Sequence, residues 1–215
     1  MPRHEALSLG HSPDPDDAFM FFALAENKID TLGWSFEHTL QDIQTLNERA
    51  TRGELAISAI SIHAYAYVLD KYALLPCGAS MGDGYGPMLV VRKGTVFPSE
   101  PESLLQWLRE QVIAVPGLMT SAYLSLQLYM GKFNHIVVPF DEIFSAVASS
   151  RAEVGLIIHE GQLTYQAEGF EKVLDLGQWW KNETGLPLPL GGNVIRKDFT
   201  PQERSEINGI LRESI

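Results

Sequence analysis

The chain has 215 residues, of which 45% are apolar and 20% charged, so it can bury a core and is not a disordered segment. A formal net charge of -11 argues against nucleic acid as a partner, because phosphate binding needs a basic face. It leaves room for a small organic anion, which a few aimed N–H groups can hold against the global charge.

Ala6–Gly10 reads as a first strand, running into the turn-rich loop His11-Ser12-Pro13-Asp14-Pro15-Asp16-Asp17. The two prolines stiffen that loop, and Asp16 or Asp17 is expected to cap a helix from Ala18 to about Asn27. A strand at Trp34–Thr39 and a helix at Asp42–Thr51 follow, with Ile43, Leu46 and Ala50 near one face. Leu55–Ser61 alternates as a strand does, His63–Asp70 suggests a helix, and Tyr72–Leu75 and Pro87–Arg92 suggest further strands. Between those two strands, the glycine-rich run Gly78–Gly86 reads as a mobile loop or a tight crossover. It lacks the strand–loop–helix spacing of a nucleotide fingerprint.

The charged, proline-bearing stretch Arg92–Glu102 is where a domain crossover is expected. Beyond it come helix Ser103–Arg109, strand Val112–Val115, loop Pro116–Met119, helix Thr120–Tyr129, strand Ile136–Val138, helix Asp141–Ser149 and strand Val154–Ile158. Val173–Leu176 suggests another strand, and Leu186–Gly192 would carry the chain back to a returning strand, Asn193–Arg196. A last helix starts at Pro201 with Thr200 as its N-cap. The ending Glu213-Ser214-Ile215 has no C-cap, so the natural domain is expected to be longer. Strands alternating with helices predict mostly parallel sheets. The expected organisation is two lobes, 1–93 plus 191–215 and 94–190. No run of about 18 apolar residues spans a membrane and no leader-like run precedes the first strand, which points to the cytoplasm. The single Cys77, beside Leu74 and Leu75, reads as a buried, inert thiol.

In open α/β sheets, ligands lie beyond the carboxyl ends of strands. Three such ends carry polar groups. Ser12 and the acidic groups of the first loop, Asp14, Asp16 and Asp17, offer hydrogen bonds to a ligand hydroxyl, or form only a rigid turn and cap. The run Pro116–Ala122 feeds a helix, so Thr120, Ser121 and Ala122 either receive a carboxylate at the helix start or simply cap it. The strand Gly155–Ile158 ends in His159-Glu160, where an imidazole is placed for proton transfer near neutral pH or serves only a structural role. The other histidines, His4, His11, His38, His63 and His135, show no metal-ligand spacing, and no Gly-x-Ser-x-Gly elbow is present.

Several of these stretches together resemble the 1,4-dihydroxy-6-naphthoate synthases of the futalosine route to menaquinone. They are Ser12-Pro13-Asp14-Pro15-Asp16-Asp17-Ala18-Phe19, Leu46-Asn47, Ser61 with Ala64-Tyr65-Ala66, and Gly86-Pro87. Val115-Pro116-Gly117 with Thr120-Ser121-Ala122-Tyr123, Gly155-Leu156-Ile157-Ile158-His159-Glu160 and Thr184-Gly185-Leu186-Pro187-Leu188-Pro189-Leu190-Gly191 complete the set. The resemblance implies an α/β, two-domain fold of the type II periplasmic-binding-protein kind, with a ligand cleft between lobes. It also implies a carbon–carbon lyase, without metal or organic cofactor, that converts cyclic dehypoxanthinyl futalosine into 1,4-dihydroxy-6-naphthoate and a three-carbon sugar fragment. The family's histidine base matches His159, its binding strand end Ala59-Ile60-Ser61, and its helix-start contact Ser121-Ala122.

Two departures stand out. The family's first loop commonly reads Cys-Pro-Asn-Asp, whereas this chain has Asp14-Pro15-Asp16-Asp17, and Ala59 stands where a lysine is frequent. One cation fewer and one anion more weaken capture of an anionic substrate by about 1–4 kcal/mol of Coulomb energy near a surface. A non-catalytic solute-binding or sensing protein for a small organic anion is the alternative on the same fold. The chorismate dehydratase of the same pathway is a third reading, against which the Ile-Ile-His-Glu end argues.

Overall fold

The computed structural model of the protein describes residues 6–158 and 161–215. The chain forms two compact units, 1–80 with 189–215, and 81–188.

In the first unit, β1 (Leu7–His11) pairs in parallel with β2 (Phe36–Leu40) and β3 (Ile57–Ser61). The sheet continues with β10 (Leu188–Arg196), antiparallel to β3, and ends with β4 (Tyr72–Gly82). The central β3 is buried at every position, as a strand covered on both faces must be. Helix α1 (Pro15–Ala25) packs against α9 (Pro201–Ser214) over a core of Leu9, Phe21, Leu24, Ile57, Ile195 and Ile207. Helix α2 (Ile43–Arg52) closes a second cluster of Leu46, Leu55 and Ala59. The Asp42 carboxylate accepts the Thr45 N–H at 3.0 Å to start α2, and Gly53 at φ 71° ends it in the left-handed conformation that glycine adopts at least cost. Thr200 and Glu203 form a reciprocal capping box at the start of α9. The short helix α3 (Ile62–Tyr65) follows β3 directly.

The second unit has the strand order β7-β6-β8-β5-β9: β7 (Asn134–Val137), β6 (Val112–Val115), β8 (Val154–Ile157), β5 (Met88–Arg92) and β9 (Phe170–Asp175). Alternation along these strands splits the core into two layers. Leu89, Val91, Ile113, Val115, Val154 and Leu156 face one, with Leu104 and Leu108 of α4 (Pro101–Glu110) and Leu126 of α5 (Ser121–Met130). Met88, Val90, Ala114 and Ile157 face the other, with Ile143 and Val147 of α6 (Ile143–Ala148). Helices α7 (Gly161–Thr164) and α8 (Leu176–Thr184) complete the unit; Asp175 caps α8 through the Gly177 and Gln178 N–H groups. Gly177 lies so close to the Tyr85 backbone that an added Cβ would sit 2.0 Å from its carbonyl oxygen.

Several sequence expectations are corrected. Residues 81–93 were expected in the first unit, yet β5 pairs antiparallel with β8 and β9 inside the second sheet. The composition shift at 92–102 marks only the connection from β5 to α4, because Met88–Val91 feeds both core layers of the second unit. Part of the glycine-rich run belongs to β4, which extends to Gly82. Helix α1 begins at Pro15 with Asp14, not Asp16 or Asp17, in the N-cap position. Proline fits a first helical turn, where its missing N–H costs nothing. Helix α3 is four residues long, shorter than the His63–Asp70 pattern suggests. Both sheets are mixed, since β10 and β5 run against their neighbours.

Candidate functional site

In the first unit, β1 and β3 are parallel neighbours with Gly10 opposite Ser58, so His11-Ser12 and Ser61 emerge at the same edge of the sheet. At the end of β1, Asp17 in the first turn of α1 reaches back and accepts the Ser12 N–H at 2.6 Å. The Ser12 hydroxyl oxygen accepts the Asp14 N–H at 3.1 Å. Burial pushes the Asp17 carboxyl up to about 7; the Ser12 N–H works against that rise, and the charges of Asp16 and Asp14 add to it.

The Ser12 carbonyl is also held. His11 Nδ1 lies 3.1 Å from it and therefore carries the proton, which leaves Nε2 of a neutral ring to accept from His38 Nδ1 at 3.0 Å. Burial lowers the pKa of His11, and burial followed by the neighbouring His11 lowers that of His38, in keeping with two neutral rings. The His11 ring stacks on Phe21 with centroids 4.6 Å apart, which fixes its plane. The backbone of Ser12 is thus held at both its N–H and its carbonyl.

At the end of β3, Asn47 of α2 and Ser61 bind each other twice. Asn47 Oδ1 accepts the Ser61 N–H at 2.9 Å, and Asn47 Nδ2 donates to the Ser61 hydroxyl oxygen at 2.9 Å. Both residues are almost fully buried.

In the second unit, Thr120 is the N-cap of α5. Its hydroxyl donates to Gly117 O at 2.8 Å and accepts the Tyr123 N–H at 3.2 Å, so this hydroxyl closes the turn. Ser125 donates to Ser121 O at 2.7 Å. The first turn of a helix presents amides with no acceptor one turn back and a partial positive charge, a seat for a carboxylate.

Of the residues singled out in the sequence, Ser12 and Ser61 share one sheet edge in the first unit. Ala59 lies in the α2 core cluster, and Ile60 is fully buried within β3. Asp16 is exposed on α1, while its neighbour Asp17 turns inward to Ser12. Thr120, Ser121 and Ala122 are buried at the start of α5, with Ala122 in the core beside Leu126. His159 lies outside the described residues. Sequence reasoning left His11 and His38 without a binding role, counted Asp17 only among the acidic groups of the first loop or as a cap, and quoted Asn47 only as part of a motif. The usable signal for Asn47 was a polar side chain next to Leu46, between the apolar Ile43 and Ala50. Among the described residues, no group of three or more His, Cys, Asp or Glu side chains is arranged to hold a metal ion, and no helix is long and apolar enough to cross a membrane.

A protein-family profile described as menaquinone biosynthesis matches residues 7–215. The 1,4-dihydroxy-6-naphtoate synthase of Thermus thermophilus is 43% identical over 211 residues, 98% of this chain and 74% of that protein. The chain belongs to the menaquinone biosynthesis family. It spans about three-quarters of the length of that curated family relative. A crystal structure of an Archaeoglobus fulgidus protein matches with a TM-score of 0.88 and 43% identity, covering 99% of this chain and 76% of that one. The alkanesulfonate-binding protein of Xanthomonas axonopodis pv. citri matches with a TM-score of 0.74 at 12% identity, over 97% of this chain and 72% of that one. This menaquinone biosynthesis chain therefore has the fold of periplasmic solute-binding proteins, as its sequence implied.

Proposed function

We propose that the chain is a 1,4-dihydroxy-6-naphthoate synthase, a carbon–carbon lyase that converts cyclic dehypoxanthinyl futalosine into 1,4-dihydroxy-6-naphthoate. The observation that carries this reading is the 43% identity, across 98% of the chain, to a protein named for that product. In this reading His159 is the base that takes a hydroxyl proton from the substrate. The adjoining carbon–carbon bond breaks, its electron pair is taken up by the ring system that becomes aromatic, and the three-carbon sugar fragment leaves. A positioned base of this kind contributes on the order of 10²–10⁴-fold.

The substrate carboxylate is assigned to the start of α5 at Thr120, Ser121 and Ala122, supported by the buried helix start there. The sugar part is assigned to Ser12, Asp16 and the strand end Ala59-Ile60-Ser61, supported by the buried hydroxyls of Ser12 and Ser61 at one sheet edge. A small organic anion is the partner, and the cytoplasm the compartment, that go with this chemistry.

Incubation with cyclic dehypoxanthinyl futalosine should produce the naphthoate chromophore. His159→Asn is expected to bind the substrate and lose turnover, and equal activity in that variant removes the assigned base.

A further inference from the structure

Ser12 and Ser61 share a hydrogen-bonding property that follows from which partners they meet. A backbone N–H is a donor only, so the Asp14 N–H forces the Ser12 hydroxyl oxygen to act as acceptor. At β3 the same logic passes through an amide. The Ser61 N–H donates, so the Asn47 oxygen must face it, and the Asn47 nitrogen then faces the Ser61 hydroxyl oxygen. The orientation of the Asn47 amide is thus set by chemistry, and Ser61 also accepts.

In both serines an incoming N–H takes one lone pair of the oxygen and turns the hydroxyl proton away from that donor, so the proton needs an acceptor elsewhere. Neither hydroxyl donates to any group among the described residues. Other buried hydroxyls behave differently: Ser58 donates to Ala59 O at 2.8 Å, Thr120 to Gly117 O at 2.8 Å and Ser125 to Ser121 O at 2.7 Å. Ser12 is 6% exposed and Ser61 3%, so bulk water has little access to either proton. A buried donor without an acceptor is costly unless a ligand supplies one.

We propose that Ser12 and Ser61 are a pair of fixed hydroxyl donors that hold an oxygen acceptor on the substrate, a carbonyl, ether or hydroxyl oxygen. Asn47 is the positioning residue that sets the polarity of Ser61. Asp17 positions Ser12 by holding its N–H, with the His11 ring on the carbonyl of the same residue. The inference rests on the synthase reading for the identity of the substrate, but the polarity of the two hydroxyls does not depend on it.

Two measurements test it. Neutron diffraction from the deuterated protein needs neither substrate nor variant. It should place the Ser61 deuteron away from Asn47 and the Ser12 deuteron away from the Asp14 nitrogen; a Ser61 deuteron aimed at Asn47 overturns the assignment. The second is a double-mutant cycle on turnover of cyclic dehypoxanthinyl futalosine, read once the wild type has been shown to act on it. Failure of the wild type counts against the synthase reading alone and leaves the neutron result to decide the polarity. Ser61→Ala should raise KM about tenfold, with a smaller change in kcat. Asn47→Asp keeps an acceptor for the Ser61 N–H but turns the hydroxyl proton inward, so it should raise KM to the same extent. The double variant should be no worse than either single one. A wild-type KM in Asn47→Asp, with folding confirmed by circular dichroism, overturns the proposal, and so do multiplicative effects in the double variant.

Discussion

Replacing Asp17 with Asn turns the buried carboxyl into a measurement of how burial and charge compete. The carboxyl titrates at about 7 in the folded protein, against an ordinary value of 3.8. The folded state therefore holds this proton more tightly than the unfolded state does. The group costs the fold nothing below pH 4, and stability falls as the pH climbs from about 4 to 7, after which the loss is complete. A separation of about three pKa units at 1.36 kcal/mol each amounts to about 4 kcal/mol. Asparagine has the same shape, offers the Ser12 N–H an oxygen, and does not titrate. Groups remote from Asp17 titrate alike in the two proteins, so the difference between their unfolding free energies reports Asp17 together with its coupling to Asp14 and Asp16. Urea unfolding followed by circular dichroism from pH 4.5 to 8.5 should show Asp17→Asn gaining on the wild type by a few kcal/mol, most of it before pH 7. A difference constant to within about 0.5 kcal/mol across that range would refute the claim that desolvation dominates at Asp17.

Asn47→Ala removes both bonds to Ser61 and leaves a buried N–H without its acceptor; the unfolding free energy should drop by about 2–4 kcal/mol in urea. Gly177→Ala forces a Cβ into the Tyr85 backbone, which has no side-chain freedom with which to yield, so a loss of about 3 kcal/mol or more is expected in the same assay. Thr200→Ala dismantles the capping box of α9 and should cost about 0.5–2 kcal/mol, read as a lower melting temperature.

Much of this protein was legible from local pattern. The apolar strands β3, β6 and β8, the helices α2, α5 and α9, and the cap Thr200 follow from periodicity and from a side chain that serves an orphan amide within three residues. The family resemblance likewise rests on short contiguous motifs. The partner sheet of β5 was not legible, because Met88–Val91 would be buried equally well in either sheet and only long-range pairing with β8 and β9 decides between them. The inward turn of Asp17 rather than Asp16 depended on where α1 starts, and one residue of helix register rotates a side chain by about 100°. The exchange between Asn47 and Ser61 joins positions 14 residues apart on different elements, and the His11–His38 contact spans 27. Sequence order fixes which donors and acceptors a segment carries. Which of them become each other's partners, and which hydroxyl protons remain for a ligand, is settled only when packing removes water and each buried polar group must find its match.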